Sequence, residues 1–164
     1  MTIAVRPAGV ADSAVVGEIH AESWSVAYAP FFEPDFAAGQ IADRRIRWTD
    51  RLRAGGVLLG TVGGRPLAFS WAGPSPSRAG IAELYGFYGH PDGWGSGVAA
   101  ALMAETLAVV RAGGYDRVHL WTMRDTPQSR RFYAKSGFVE TGAFRDHDFG
   151  DGRPLVQVEY ERAL

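Results

Sequence analysis

A mixed α/β fold is predicted for this 164-residue chain by three features of its sequence. Two apolar runs, 57–62 and 66–73, flank the pair Gly63-Gly64, a strong hairpin signal. A strand-like run, 81–89, then enters a glycine-rich turn with a long apolar-faced helix directly behind it. Finally, strands and helices interleave to the end of the chain, with no linker, internal repeat or low-complexity tract. One domain over residues 1–164 is expected, long enough to bury a real core.

Residues 3–6 alternate as a short opening strand, closed by Pro7. Asp12 or Ser13 then caps a helix whose apolar positions include Val16, Ile19 and Trp24. The aromatic-rich segment 24–34 is broken by Pro30 and Pro34, so it reads as a helix end and a shaped loop. A second helix is predicted over 36–52, with Ile41, Ile46 and Trp48 turned inward. After the hairpin, 74–80 is a polar loop and 81–89 the third strand of a meander. The apolar-faced helix runs over 98–111 and is stopped by Gly113-Gly114. A strand over 117–123, a short helix ending at Gly137, a strand starting at Phe138 and an alternating final strand complete the chain.

Composition narrows the function classes. At 46% hydrophobic and 21% charged residues the chain is globular, and its net charge of -1 provides no basic face for nucleic acid or an anionic membrane. Without cysteine there is no disulfide, thiolate metal site or cysteine nucleophile. Neither a signal peptide nor a run of about 18 uncharged apolar residues is visible, so a soluble cytoplasmic protein is expected.

The most informative stretch is 83–110, where a strand passes through Pro91 and Gly93, Gly95 and Gly97 into a helix. Unpaired N–H groups at a helix start, with the helix dipole behind them, favour an anion. Glycines let that backbone approach a bulky ligand, so a phosphate or pyrophosphate fits, against the plainer reading of a surface loop rich in glycine. A dinucleotide-binding G-x-G-x-x-G is absent, since Ala100 stands three after Gly97, and so is a Walker lysine.

This stretch resembles the acetyl-CoA pyrophosphate loop of the GNAT acetyltransferases, Arg/Gln-x-x-Gly-x-Gly/Ala. Trp94 falls on the Arg/Gln position, Gly97 on the first glycine and Ala99 on the last position. A second block, 126–142, is similar to the family's Asn-x-x-Ala-x-x-Phe-Tyr-x-x-x-Gly-Phe, with Ser129, Phe132, Tyr133, Gly137 and Phe138 matching and Thr126 where Asn is usual. The resemblance implies a centrally splayed β-sheet flanked by helices. It also implies acetyl-CoA as co-substrate, held by Phe87, Tyr88, Gly89, Trp94, Gly95, Ser96, Gly97, Val98, Ala99, Thr126 and Ser129.

Acetyl transfer to an amine needs a polarised thioester carbonyl, a deprotonated amine and a neutralised thiolate. The resemblance implies that N–H groups of Phe87 and Gly89 meet the carbonyl and the pantetheine arm. It makes Tyr133 the acid, against a packed core aromatic, and Glu83 the base, against an acid that only orients substrate. Desolvation by Tyr85, Trp24 and Tyr28, which also form the expected acceptor wall with Phe31 and Phe32, would raise the Glu83 pKa. With no cysteine to carry the acetyl group, direct attack in a ternary complex follows. The acceptor implied is an amine of a small molecule, peptide N-terminus or lysine; a non-catalytic acetyl-CoA sensor is the alternative, and a homodimer stays open. The histidines show no paired metal-ligand spacing, so no metal is expected; His90 reads as a loop cap, His119 as a strand residue and His20 as a candidate for the acceptor pocket.

Overall fold

A computed structural model describes all 164 residues of the chain. The elements are β1 (Ile3–Pro7), α1 (Ser13–Ala27), α2 (Pro34–Ile46), α3 (Trp48–Arg53), β2 (Val57–Val62), β3 (Arg65–Pro74), β4 (Ala82–Gly89), α4 (Val98–Ala112), β5 (Arg117–Met123), α5 (Pro127–Lys135), β6 (Val139–His147) and β7 (Leu155–Ala163). Seven strands form one mixed sheet in the order β1-β2-β3-β4-β5-β7-β6, the α/β class expected from sequence. The β4–β5 ladder is parallel and has two rungs, Ala82–Val118 and Glu83–His119. The register of β4 with β5 ends at Glu83.

The chain forms two compact units, Met1–Ala72 with Gly86–Thr106, and Gly73–Tyr85 with Leu107–Leu164. In the first, β1, β2 and β3 pair antiparallel, and the β2–β3 turn is made by Gly63 and Gly64 at φ 57° and 83°. Two successive positive φ values match the right-handed twist of the strands and suit glycine alone. Alternation along β2 sends Val57 and Leu59 to one face, with Val16, Ile19, Trp48, Leu52 and Phe69, and Leu58 to the other, with Ala68, Val98 and Leu102. Each large side chain removed from water this way contributes about 1.5–3 kcal/mol.

The helix expected over 36–52 is two helices. Pro34 starts α2 with its preorganised φ, and the chain breaks at Arg47, where ψ is -4°, before α3 drops Trp48 and Leu52 into the core. Ile46, expected inside, is 79% exposed; it lies about 140° around a helix from Ile41. Asp12 stands at the N-cap of α1 but makes no side-chain cap bond there. Its carboxylate instead accepts from the Gly9 N–H and pairs with Arg6.

In the second unit β7 pairs with both β5 and β6, antiparallel. Its period-two pattern sorts Val158 and Tyr160 from Glu159 and Glu161. Helix α5 ends where the Phe138 N–H bonds the Tyr133 carbonyl and the Gly137 N–H bonds that of Ala134, with Gly137 at φ 87°. Strand β6 runs further than its predicted opening, to His147. The turn beyond it is built by Asp148, which accepts from the N–H groups of Gly150 and Gly152. That carboxylate therefore shapes backbone.

Candidate active site

Glu83 stands at the last rung of the β4–β5 ladder, directly opposite His119. Strand pairing presents both side chains on one face of the sheet, and Glu83 Oε1 lies 3.2 Å from His119 Nε2. His119 is wholly buried. Its Nε2 also meets Ser75 Oγ at 2.7 Å, and its Nδ1 meets Glu159 Oε2 at 2.8 Å. Glu159 accepts further bonds from Thr141 Oγ1 and Arg78, and Arg78 also donates to Glu161. The ring thus has a carboxylate at each nitrogen. Such a set fixes the ring between the two carboxylates and ties Glu83 to Glu159 through it.

Burial raises the Glu83 pKa above the ordinary carboxylate range, with Glu159 adding to the rise and His119 and Arg145 opposing it. Burial also pushes Glu159 upward, but the hydrogen bonds from Thr141 and His119, with Arg78 nearby, outweigh it and hold that carboxyl low. Two carboxylates one ring apart therefore differ in proton affinity, the pattern that separates a base from its support. The loop over 74–80 is pinned to this network. Ser75 Oγ accepts from the Ser77 and Arg78 N–H groups, and Tyr85 donates its hydroxyl proton to the Pro74 carbonyl. Tyr85 thus reaches the loop beside Glu83.

Tyr133 is buried on α5, its ring packed edge-on to Phe132 and Phe138 and 6.3 Å from Tyr160. Thr126, just before α5, is buried and its hydroxyl donates to the Met123 carbonyl at 2.7 Å. Ser129 lies half-buried one turn further on.

In the first unit the glycine turn is shaped as its residues predict. Gly95 and Gly97 adopt φ 75° and 91°, the left-handed region that disfavours any side chain. Within the turn Trp94 N–H bonds the Pro91 carbonyl and Ser96 N–H that of Gly93. The Val98 N–H is taken by Ser96 Oγ. Gly95, Gly97 and Ala99 keep N–H groups outside these bonds. Trp94 is exposed, its indole donating to the Gly89 carbonyl at 3.2 Å. His90 caps the turn, accepting from the Asp92 N–H. Phe87 packs on the Leu58 side and Tyr88 on the Phe69 side, so β4 places neighbouring side chains on opposite faces.

Of the expected acceptor wall, Trp24 is 1% exposed and stacks on Phe32 at 5.3 Å, behind the surface. Tyr28 is half-buried, 6.1 Å from the Trp24 ring. Sequence reasoning did not bring His119, Glu159 and Ser75 to Glu83. The available signal was a histidine between Val118 and Leu120, which a buried strand tolerates only with partners, and the alternating Glu159 and Glu161 of the last strand. No group of His, Asp or Glu is arranged to hold a metal ion. No helix is long and apolar enough to cross a membrane.

The signature of the Acetyltransferase (GNAT) family matches residues 14–138. No curated protein matches the sequence significantly. Among solved structures, the PaiA N-acetyltransferase of Thermoplasma acidophilum in complex with coenzyme A is similar over 100% of both chains, with 20% identity and TM-score 0.75. A GCN5-related N-acetyltransferase of Rhodopseudomonas palustris has 22% identity over 100% of this chain and 97% of its own, with TM-score 0.79. YncA of Salmonella typhimurium, a putative acetyltransferase solved with its cofactor acetyl-CoA, has 20% identity over 100% and 95%, with TM-score 0.73. At these identities the likeness is one of fold.

Proposed function

The chain belongs to the acetyltransferase (GNAT) family, and from that premise we propose that it is an acetyl-CoA-dependent N-acetyltransferase, acting as one domain over residues 1–164. Transfer is by direct attack of a primary amine within a ternary complex. The observation that carries the reading is Glu83: a carboxylate at the point where β4 leaves β5, desolvated and backed by a buried histidine.

The glycine turn fits the co-substrate's pyrophosphate, because Gly95, Gly97 and Ala99 offer backbone N–H groups and the first two have conformations closed to side chains. When bound, acetyl-CoA supplies an activated acyl group as a thioester. The backbone of Phe87 and Gly89 orients and polarises its carbonyl. Glu83 takes a proton from the ammonium form of the acceptor, whose ordinary pKa near 10.4 leaves it non-nucleophilic at neutral pH, and His119 holds Glu83 in place. As the nitrogen–carbonyl bond forms and the C–S bond breaks, Tyr133 gives its hydroxyl proton to the departing thiolate and is reprotonated by the second proton that the new amide nitrogen loses.

Thiol release from acetyl-CoA, measured against a panel of amines, peptides and amino acids, tests the reading. Turnover on at least one acceptor is expected. Acetyl-CoA binding with no turnover on any acceptor would instead identify a sensor. In the same assay, Gly97→Ala is expected to raise KM for acetyl-CoA about tenfold or more, because an L-residue held at φ 91° costs about 1–3 kcal/mol and moves the cradle. An unchanged KM would remove the cradle from the mechanism.

A further inference from the structure

The first unit buries one guanidinium, that of Arg44, without an ion-pair partner. Arg44 in α2, Arg47 at the break and Arg51 in α3 all act electrostatically on both His20 and Tyr88. Arg47 pairs with Asp43. Arg44 has no carboxylate: it donates to the carbonyl and side-chain oxygens of Gln40 at 3.2 and 2.6 Å and lies 4.4 Å over the Trp24 ring. Arg51 likewise lies over rings, those of Trp48 and Trp71 at 5.4 and 5.1 Å. Arg44 is only 7% exposed, and its Nε is buried with no acceptor. Burial lowers that guanidinium to about 10, which leaves it charged at neutral pH.

The neutral members of the cluster are donors too. His20 is 4% exposed, and burial with the three arginines pushes it to about 2, so its ring is uncharged. Its Nδ1 accepts from the Trp48 indole at 3.1 Å, which puts the single ring proton on Nε2. That Nε2 is buried without a partner. The Tyr88 ring lies 4.3 Å from the His20 ring, and burial raises the phenol's pKa, keeping its proton in place. Guanidinium, imidazole and phenol groups thus lie together, and the acidic side chain in reach of the arginines, Asp43, is largely exposed and engaged by Arg47. A buried cation without counter-charge is unfavourable. An arriving anion removes that cost.

We infer that this cluster holds a carboxylate of the acetyl acceptor, which makes the acceptor an amino acid or a related amino carboxylate. The inference rests on the transferase reading above. Tyr88 sits between Phe87 and Gly89, the backbone assigned there to the thioester, so the cluster adjoins that stretch of β4. A carboxylate matches the planar donor fork of arginine. Polycationic acceptors such as polyamines and aminoglycosides meet repulsion.

The test compares matched acceptors in the thiol-release assay: an amino acid, its carboxamide and the amine lacking the carboxyl group. The acid is expected to exceed the amide at least tenfold in kcat/KM. Arg44→Gln abolishes that preference while KM for acetyl-CoA stays unchanged. Should Arg44→Gln fail to fold, Arg51→Gln, which removes a less buried member, takes its place. In parallel, calorimetry with N-acetylglycine reads the subsite without turnover; binding to the wild type that is lost in Arg51→Gln supports it. Equal rates on acid and amide, or a preference for polyamines, overturns the subsite and leaves the transferase reading standing. Binding of N-acetylglycine that depends on Arg51, with no acceptor turned over, supports the subsite and overturns the transferase reading.

Discussion

Glu83→Gln is expected to lower kcat/KM by about a hundred- to a thousandfold and to erase the acid limb of its pH profile. The sign follows from the site. A base works in its deprotonated form, so the wild-type rate rises with pH through the Glu83 pKa. Burial places that pKa above the ordinary carboxylate range, so the limb falls above it as well. Glutamine keeps the shape and removes the titration. Stability works in the opposite direction: a carboxyl with a raised folded pKa contributes stability below its unfolded pKa, and that contribution is lost as pH rises through the folded value. Glu83→Gln therefore leaves Tm at neutral pH undiminished, which separates catalysis from folding. Tyr133→Phe is the contrasting variant. It lowers kcat about a hundredfold by removing the proton destined for the thiolate, yet leaves the acid limb where it was. An acid limb that survives in Glu83→Gln would transfer the base role to another group.

How legible such a site is depends on the sequence distance over which it is specified. The β2–β3 turn and the glycine turn are local: Gly63, Gly64, Gly95 and Gly97 take the positive φ values that their positions between strand and strand, or strand and helix, require. Glu83 and Tyr133 lie on elements with recognisable neighbours. His119 is different, because its meaning depends on register. Only the pairing of β4, β5 and β7 puts Glu83 and Glu159 at its two nitrogens, and no window of sequence contains all three. The break at Arg47 has a related cause. Phe36 through Leu52 could continue as one helix on propensity, and the core's demand for Trp48 and Leu52 overrides it. The arginine stripe is the subtlest case. Arg44, Arg47 and Arg51 recur three and four residues apart, a spacing that in sequence alone suits a solvated face as well, and only the burial of Arg44 against Trp24 sets it apart.

Gly17→Ala is expected to destabilise the protein by about 3 kcal/mol or more, against the usual gain of about 0.5–1 kcal/mol for Gly to Ala inside a helix. The reversal comes from one contact. A Cβ on Gly17 would stand 2.0 Å from the carbonyl oxygen of Arg45 and 2.8 Å from its carbon, and both belong to the backbone of α2, which no rotamer change can move aside. The helices α1 and α2 would have to separate. For a chain of this length the loss corresponds to a Tm about 6–12 °C lower. Gly39→Ala, on α2 with nothing within 4 Å of the new methyl, serves as the control and should raise Tm slightly. Separation of α1 and α2 also shifts Arg44 away from Trp24 and His20, so any folded fraction of Gly17→Ala should lose its preference for the amino acid over its amide. Thermal melts of the two variants that move in the same direction would show that the α1–α2 crossing is looser than the Gly17–Arg45 contact requires.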